Sequence, residues 1–130
     1  MPITALYAGL LAILLLILSA RVIGVRRAEK ISLGDGDNRQ LQQRIRVHAN
    51  FVEYTPFALI LIGLIESLKA PSLLLHGLGL ALLMGRAIHA YGLSQSPQIM
   101  VLRVGGMVLT LAVVAIAAAW CLFFGMRGLV

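Results

Sequence analysis

The sequence has little charge and almost no cysteine. Only 12% of its 130 residues are charged, 60% are hydrophobic, and the mean hydropathy is +0.95. Such a chain has too few polar side chains to cover a soluble globular domain, which places it in a lipid bilayer. The single cysteine, Cys121, excludes an internal disulfide, and we expect it to pack as a small apolar residue.

Acidic residues are also scarce, with five against eleven lysines and arginines. The stretch GDGDN (residues 34–38) resembles the start of a calcium loop, but the later ligands and the twelfth-position glutamate are missing, so we expect no metal. A small four-helix transporter needs a glutamate embedded in its first helix, and the first apolar run here has none. The chain also lacks the soluble basic face that a nucleic-acid partner would require.

Two apolar stretches clearly have the length of membrane helices, which need about 20 mostly apolar residues. Residues 3–20 and 104–126 contain no charged side chain. The first stretch has no basic residue ahead of it and is longer than the apolar part of a secretory signal, so we interpret it as an uncleaved spanning helix.

Two further stretches cross the bilayer only if charged residues enter it. Twelve uncharged residues separate Glu53 from Glu66, and fourteen separate Pro71 from Arg86. Because both intervals are shorter than a membrane span, we expect Glu53 and Arg86 to lie within the membrane.

Turn-forming residues lie between the four apolar stretches. Residues 34–37 form a turn-rich break, after which Asp37 or Asn38 can cap a helix, while Pro71 and Pro97 suit helix starts. We therefore predict an all-α integral membrane protein with a single domain over residues 1–130. It is a four-transmembrane-helix bundle, with helices near 3–30, 38–69, 71–92 and 97–126.

The basic residues indicate the orientation. Seven of the eleven lysines and arginines lie between the first and second helices, against three acidic residues there. The positive-inside rule then places the first and third loops in the cytoplasm and both termini outside. The same charge favours contact with anionic membrane lipids.

A polar stripe opens the second helix. At 100° per residue, Arg46, Asn50 and Glu53 fall within about 60° of one another, Tyr54 flanks them and His48 points elsewhere. In one reading Arg46 snorkels to the headgroups, Glu53 pairs with it or with a neighbour, and Asn50 joins helices. In the other, ionisable residues inside a span mark a site for a charged small molecule that enters from the cytosol.

The third and fourth helices add polar residues on the same side. Arg86 and His89 are one turn apart, and Arg103 lies near the start of the fourth helix. Small residues at four-residue spacing, from Gly77 to Gly85, predict a ridge on which another helix can pack closely. Three arginines that converge with one glutamate, one asparagine and two tyrosines favour a binding site, since arginine pairs well with carboxylates and stabilises thiolates.

These motifs resemble a known family. The segment RVHANFVEYTP (residues 46–56) matches the pattern R-x-x-x-N-x-x-E-Y-x-P of the MAPEG superfamily, the membrane-associated proteins in eicosanoid and glutathione metabolism. The segments GRAIHAYG (85–92) and RVGGM (103–107) resemble helix-three and helix-four segments of its short bacterial members, which are similar to microsomal glutathione transferases.

The resemblance implies a homotrimer in a bacterial inner membrane, with glutathione as co-substrate bound between subunits. Arg46, Asn50, Glu53 and Tyr54 would hold the peptide, with Arg86 and His89 at or near it and Tyr91 as a further candidate. His48 would lie where a neighbouring subunit's contact is expected. The first helix would lend one arginine across the interface, and Arg21, Arg26 and Arg27 all remain open for that role.

By the same resemblance, Arg103 would be catalytic, because it matches an arginine that holds the glutathione sulfur as a thiolate. The chain would then be a transferase or peroxidase acting on lipophilic electrophiles or hydroperoxides that reach the site from the bilayer. A non-catalytic lipid-binding or scaffold protein of the same fold is the alternative, since a fold does not determine an activity.

Overall fold

The protein is an all-α bundle in the computed structural model, which describes residues 1–128. Its helices are α1 (Pro2–Glu29), α2 (Arg39–Ser67), α3 (Ser72–Ser94) and α4 (Met100–Arg127). All four are long and apolar enough to cross a membrane. The predicted fold class, a bundle of four candidate membrane-spanning helices, is thereby confirmed.

The helix ends follow local chemistry. Asn38 caps α2, because its side-chain oxygen accepts a hydrogen bond from the Leu41 N–H at 3.0 Å, which decides between the two predicted caps. The fourth helix begins at Met100 and not near Pro97. The N–H of Ile99 donates to the Gly92 carbonyl at 3.0 Å, so the residues before Met100 fold back against the end of α3.

Helices α2 and α3 form the centre of the bundle. Helix α1 packs against both of them on one side and α4 packs against both on the other, while α1 and α4 are not in contact over the described residues. Ile62, Leu82 and Val113 are at most 1% exposed where the central helices meet α4. Because lipid is as apolar as these side chains, close packing rather than water exclusion holds them together.

Helix α1 is tied to α2 at the end away from the basic loops. The Glu66 carboxylate accepts hydrogen bonds from the backbone N–H groups of Ile3 at 3.0 Å and Thr4 at 2.8 Å, and from the Thr4 hydroxyl. These N–H groups have no intrahelical partner in the first turn, and α1 carries no acidic residue there. Glu66 therefore supplies the capping charge from another helix.

Helices α3 and α4 approach each other closely at three glycines, Gly85, Gly92 and Gly106. A Cβ on Gly85 would lie 3.1 Å from the Thr110 Oγ1, and a Cβ on Gly106 would lie 2.7 Å from the His89 Cβ and collide with the Gly85 carbonyl oxygen. The predicted ridge is thus found at Gly85, whereas a Cβ on Gly77 would meet no atom within 4 Å in the described chain.

We expect Gly106→Ala to destabilise the bundle by about 1–3 kcal/mol, because the added methyl group forces α3 and α4 apart. Gly105→Ala is the matched control, since a Cβ at that position meets nothing within 4 Å. Thermal unfolding of both variants in the same detergent measures the difference. Equal stability of the two variants would show that this helix contact can relax.

Candidate functional site

The site is built around one buried charge, the guanidinium of Arg86 on α3. The side chain is 1% exposed. Its Nε donates to the Thr110 Oγ1 on α4 and its Nη1 donates to the Asn50 Oδ1 on α2, both at 2.8 Å. Its Cζ lies 5.7 Å from the centre of the Tyr54 ring, within cation–π range. Arg86 therefore joins three helices.

These contacts make burial of the charge possible. A buried cation is costly unless hydrogen bonds and nearby electron density replace its water shell. The Thr110 hydroxyl in turn donates to the Gly106 carbonyl at 2.9 Å, so its lone pairs face Arg86. Because the Asn50 oxygen is engaged by Arg86, its amide N–H₂ is the end left for a ligand.

An open cleft of about 520 Å³ lies beside Arg86, between α2, α3 and α4. One wall is polar and unites five of the predicted site residues: Arg46, Asn50, Tyr54, His89 and Arg103. The other wall is apolar and consists of Leu93, Met100, Val104, Met107 and Val108. The cleft can thus accept a ligand with a charged part and a lipophilic partner side by side.

His89 is fixed at the back of this cleft. The residue is 4% exposed, and its Nδ1 donates to the backbone carbonyl of Arg103 at 2.7 Å. A carbonyl only accepts, so Nδ1 carries a proton and Nε2 is the acceptor of the neutral ring. This Nε2 is buried and has no hydrogen-bond partner among the described residues.

Arg103 contributes to the cleft in two ways. Its backbone holds His89, while its half-buried side chain lines the polar wall. Its Nη1 donates to the Gln98 Oε1 at 2.8 Å, a neutral partner five residues earlier. The positive charge of Arg103 is therefore not neutralised by that contact.

Arg46 and Glu53 form an ion pair at the edge of the site. The Nη1 of Arg46 lies 3.1 Å from the Glu53 Oε1, and the two side chains are 61% and 47% exposed. Glu53 lies on the outer face of α2 and does not line the cleft, whereas Arg46 does. The carboxylate thus positions Arg46 from outside.

The other predicted site residues lie apart from the cleft in the single chain. His48 contacts the Ser19 Oγ at 3.1 Å, Arg21 donates to the Ser94 Oγ at 3.1 Å, and Arg26 donates to the Gly34 carbonyl at 2.7 Å. Arg27 and Tyr91 are exposed. These three hydrogen bonds join α1 to α2, to the end of α3 and to the first loop, in that order.

A second cavity of about 690 Å³ adjoins the cleft and shares Arg46 and Leu93 with it. Three arginines line it, Arg39, Arg44 and Arg46, together with glutamines and serines, and no acidic side chain is among its described lining residues. A cleft entered past this surface favours anionic ligands.

Sequence reasoning missed Thr110, Gln98 and Met107. Thr110 carried a usable signal, because it is the one polar side chain between Arg103 and Trp120 and follows Gly106 by one turn. Met107 is apolar and Gln98 lies in a loop, so only their tertiary contacts identify them: Met107 Sδ lies 3.9 Å from Arg86 Nη2.

Comparison with known proteins gives a match over nearly the whole chain. The model of the MAPEG family matches residues 4–123. The inner membrane protein YecN of Escherichia coli (strain K12) is 41% identical over 90 residues, which cover 69% of each protein, and YecN of Escherichia coli O6:H1 (strain CFT073) matches to the same extent. The relatives' name states their location and no activity.

We expect Asn50→Leu to lower the free energy of unfolding by about 1–3 kcal/mol, because it leaves a buried guanidinium donor without its partner. Thr55→Val is the control on the same helix. Thr55 is 3% exposed and its hydroxyl has no partner within residues 1–128, so removing that hydroxyl costs nothing. Unfolding in detergent compares the two. A similar loss in both variants would contradict the role given to Asn50.

Proposed function

The chain belongs to the MAPEG family, and we propose that it is a membrane-embedded, glutathione-dependent transferase or peroxidase. The observation that carries this proposal is the cleft that brings Arg46, Asn50, Tyr54, His89 and Arg103 to one polar wall. Its substrates would be lipophilic electrophiles or hydroperoxides.

The polar wall suits a tripeptide with two carboxylates. Arg46 and the arginines of the adjoining cavity offer charged donors for carboxylates. Asn50 offers its amide N–H₂, because Arg86 already engages its oxygen at 2.8 Å. Glutathione can therefore enter past the arginines with its thiol leading toward Arg103 and His89.

Arg103 is the residue we assign to thiolate stabilisation. A free thiol ionises little at neutral pH, and the thiolate is the reactive nucleophile. A guanidinium that faces a neutral hydrogen-bond partner, as Arg103 faces Gln98, keeps its charge available for the sulfur. No metal is needed in this chemistry.

The apolar wall suits the second substrate. Met100, Val104 and Val108 follow one another by single turns on α4 and are 56%, 51% and 59% exposed, so this side of the cleft opens toward lipid. A lipophilic molecule can reach the sulfur from the bilayer without crossing the arginines. The thiolate would then add to an electrophilic carbon, or attack the O–O bond of a hydroperoxide.

We also propose the homotrimer and the orientation. The Arg46–Glu53 pair is exposed on the outer face of α2, and a charged pair facing lipid is costly, which favours a neighbouring subunit there. The cleft opens at the end that carries the seven basic residues of the first loop region. The positive-inside rule places this end in the cytoplasm, and the location of YecN favours an inner membrane.

We expect glutathione titrated into the detergent-purified protein to give a saturable absorbance signal of the thiolate. Arg103→Ala should remove that signal and lower turnover about 10²–10³-fold, since it deletes one charge-stabilising donor. This variant keeps the backbone carbonyl that binds His89. Arg127→Ala at the far end of α4 is the matched control and should behave as wild type.

The outcomes separate the two candidate functions. Saturable glutathione binding without a thiolate signal, in wild type and both variants, would assign the protein to the non-catalytic, lipid-binding or scaffold class.

We expect Arg46→Ala and Glu53→Gln each to abolish glutathione binding, because the first removes a carboxylate partner and the second removes the charge that positions Arg46. The trimer should persist in both, since most of the exposed helix surface is apolar. Calorimetry measures binding and light scattering measures assembly. Loss of assembly in both variants would instead assign the pair a structural role.

A further inference from the structure

The cleft contains one group that can take up a proton. Its polar wall offers Arg46, Asn50, Tyr54, His89 and Arg103. Arginine has no acceptor atom, and neither an asparagine amide nor a tyrosine hydroxyl accepts a proton at neutral pH. Among the described residues that line the cleft, the His89 ring is therefore the sole base.

The ring is also held in the state that a base requires. Its Nδ1–H donates to the Arg103 carbonyl at 2.7 Å, so the lone pair that can accept a proton lies on Nε2. A buried nitrogen without a partner in the described chain normally costs stability, so its retention calls for a reason. A ligand that donates a proton to Nε2 would satisfy it.

We propose that His89 Nε2 is the general base that receives the thiol proton of the bound peptide. This inference rests on the proposed function, because it needs a thiol in the cleft. It assigns the two halves of activation to different residues: His89 removes the proton and Arg103 stabilises the negative sulfur that remains.

The step balances without a further reactant. The S–H bond breaks, its electron pair stays on sulfur, and the proton binds His89 Nε2. After the sulfur attacks an electrophilic carbon, the imidazolium returns the proton to the adduct or the leaving group. With a hydroperoxide, the sulfur takes one oxygen as the O–O bond breaks and the imidazolium protonates the departing alkoxide. A second thiol then reduces the sulfenic acid to a disulfide and water.

The charged and titratable groups around His89 come from three helices. Arg46 and Tyr54 lie on α2, with Glu53 bound to Arg46, while Arg86 lies one turn away on α3 and Arg103 on α4. The arginines carry no acceptor atom for the thiol proton. A pH profile of thiolate formation therefore reports on His89 and the thiol, with Glu53 as the acidic group to control for.

The direct test measures how fast the thiolate forms. Glutathione is mixed rapidly with the wild-type protein at about pH 8, above the usual pKa of about 6.5 for histidine, and absorbance follows the thiolate with time. If His89 receives the thiol proton before solvent takes it up, His89→Asn forms the thiolate about 10²-fold more slowly.

His89→Asn is the informative variant, because an asparagine amide can replace the Nδ1 donor to the Arg103 carbonyl but offers no base. We expect it to bind S-methylglutathione, which has no thiol proton, within about twofold of wild type. Its turnover with glutathione should fall about 10²-fold or more and regain activity with added imidazole. His76→Asn, at a histidine that does not line the cleft, is the matched control and should form the thiolate as fast as wild type.

The results distinguish this inference from the proposed function. Thiolate formation at the wild-type rate in His89→Asn overturns the base assignment and leaves the thiolate site standing. Equal weakening of glutathione and S-methylglutathione in His89→Asn, without rescue by imidazole, also overturns it. The absence of any thiolate signal in wild type overturns both.

Discussion

The guanidinium of Arg86 is the interaction on which the site depends. It lies at 1% exposure inside the bundle, and it connects α2, α3 and α4 through Asn50, Thr110 and the Tyr54 ring. Unlike dispersion contacts, hydrogen bonds to a planar cation have fixed directions. They therefore set the rotation of three helices relative to one another, and with it the position of every residue on the polar wall.

Close helix packing makes this geometry possible. Gly106 lets the α4 backbone reach His89 and Gly85, which brings the Arg103 carbonyl to 2.7 Å from the imidazole. Helix α1 takes no part in the cleft and is held separately, through Glu66 at one end and the contacts of Arg21 with Ser94 and of His48 with Ser19 at the other. A cleft lined by α2, α3 and α4, whose α4 side is exposed at Met100, Val104 and Val108, combines a rigid polar wall with access from lipid.

Local sequence patterns predicted some features of the structure, and contacts between helices decided others. The apolar runs predicted four spans, and the cap of α2 was narrowed to Asp37 or Asn38 because capping depends on a few neighbouring residues. The 100° periodicity grouped Arg46 and Asn50 but also included Glu53, which lies on the outer face beside Arg46. Periodicity describes one helix in isolation, so it cannot say which side of a polar stripe another helix covers. The start of α4 was predicted near Pro97 and is observed at Met100 for a similar reason, because the Ile99 N–H donates to the Gly92 carbonyl at the end of another helix.

The sequence by itself determined that this is a four-helix membrane protein of the MAPEG family, because hydropathy, loop charge and one local motif are properties of contiguous segments. The tertiary structure alone decided that Arg86 is buried as a bridge, that Thr110 and Gln98 belong to the candidate site, and that one nitrogen of His89 has no partner among residues 1–128. These are relations between residues on different helices or loops, and they depend on crossing angles and backbone approach that no segment encodes separately.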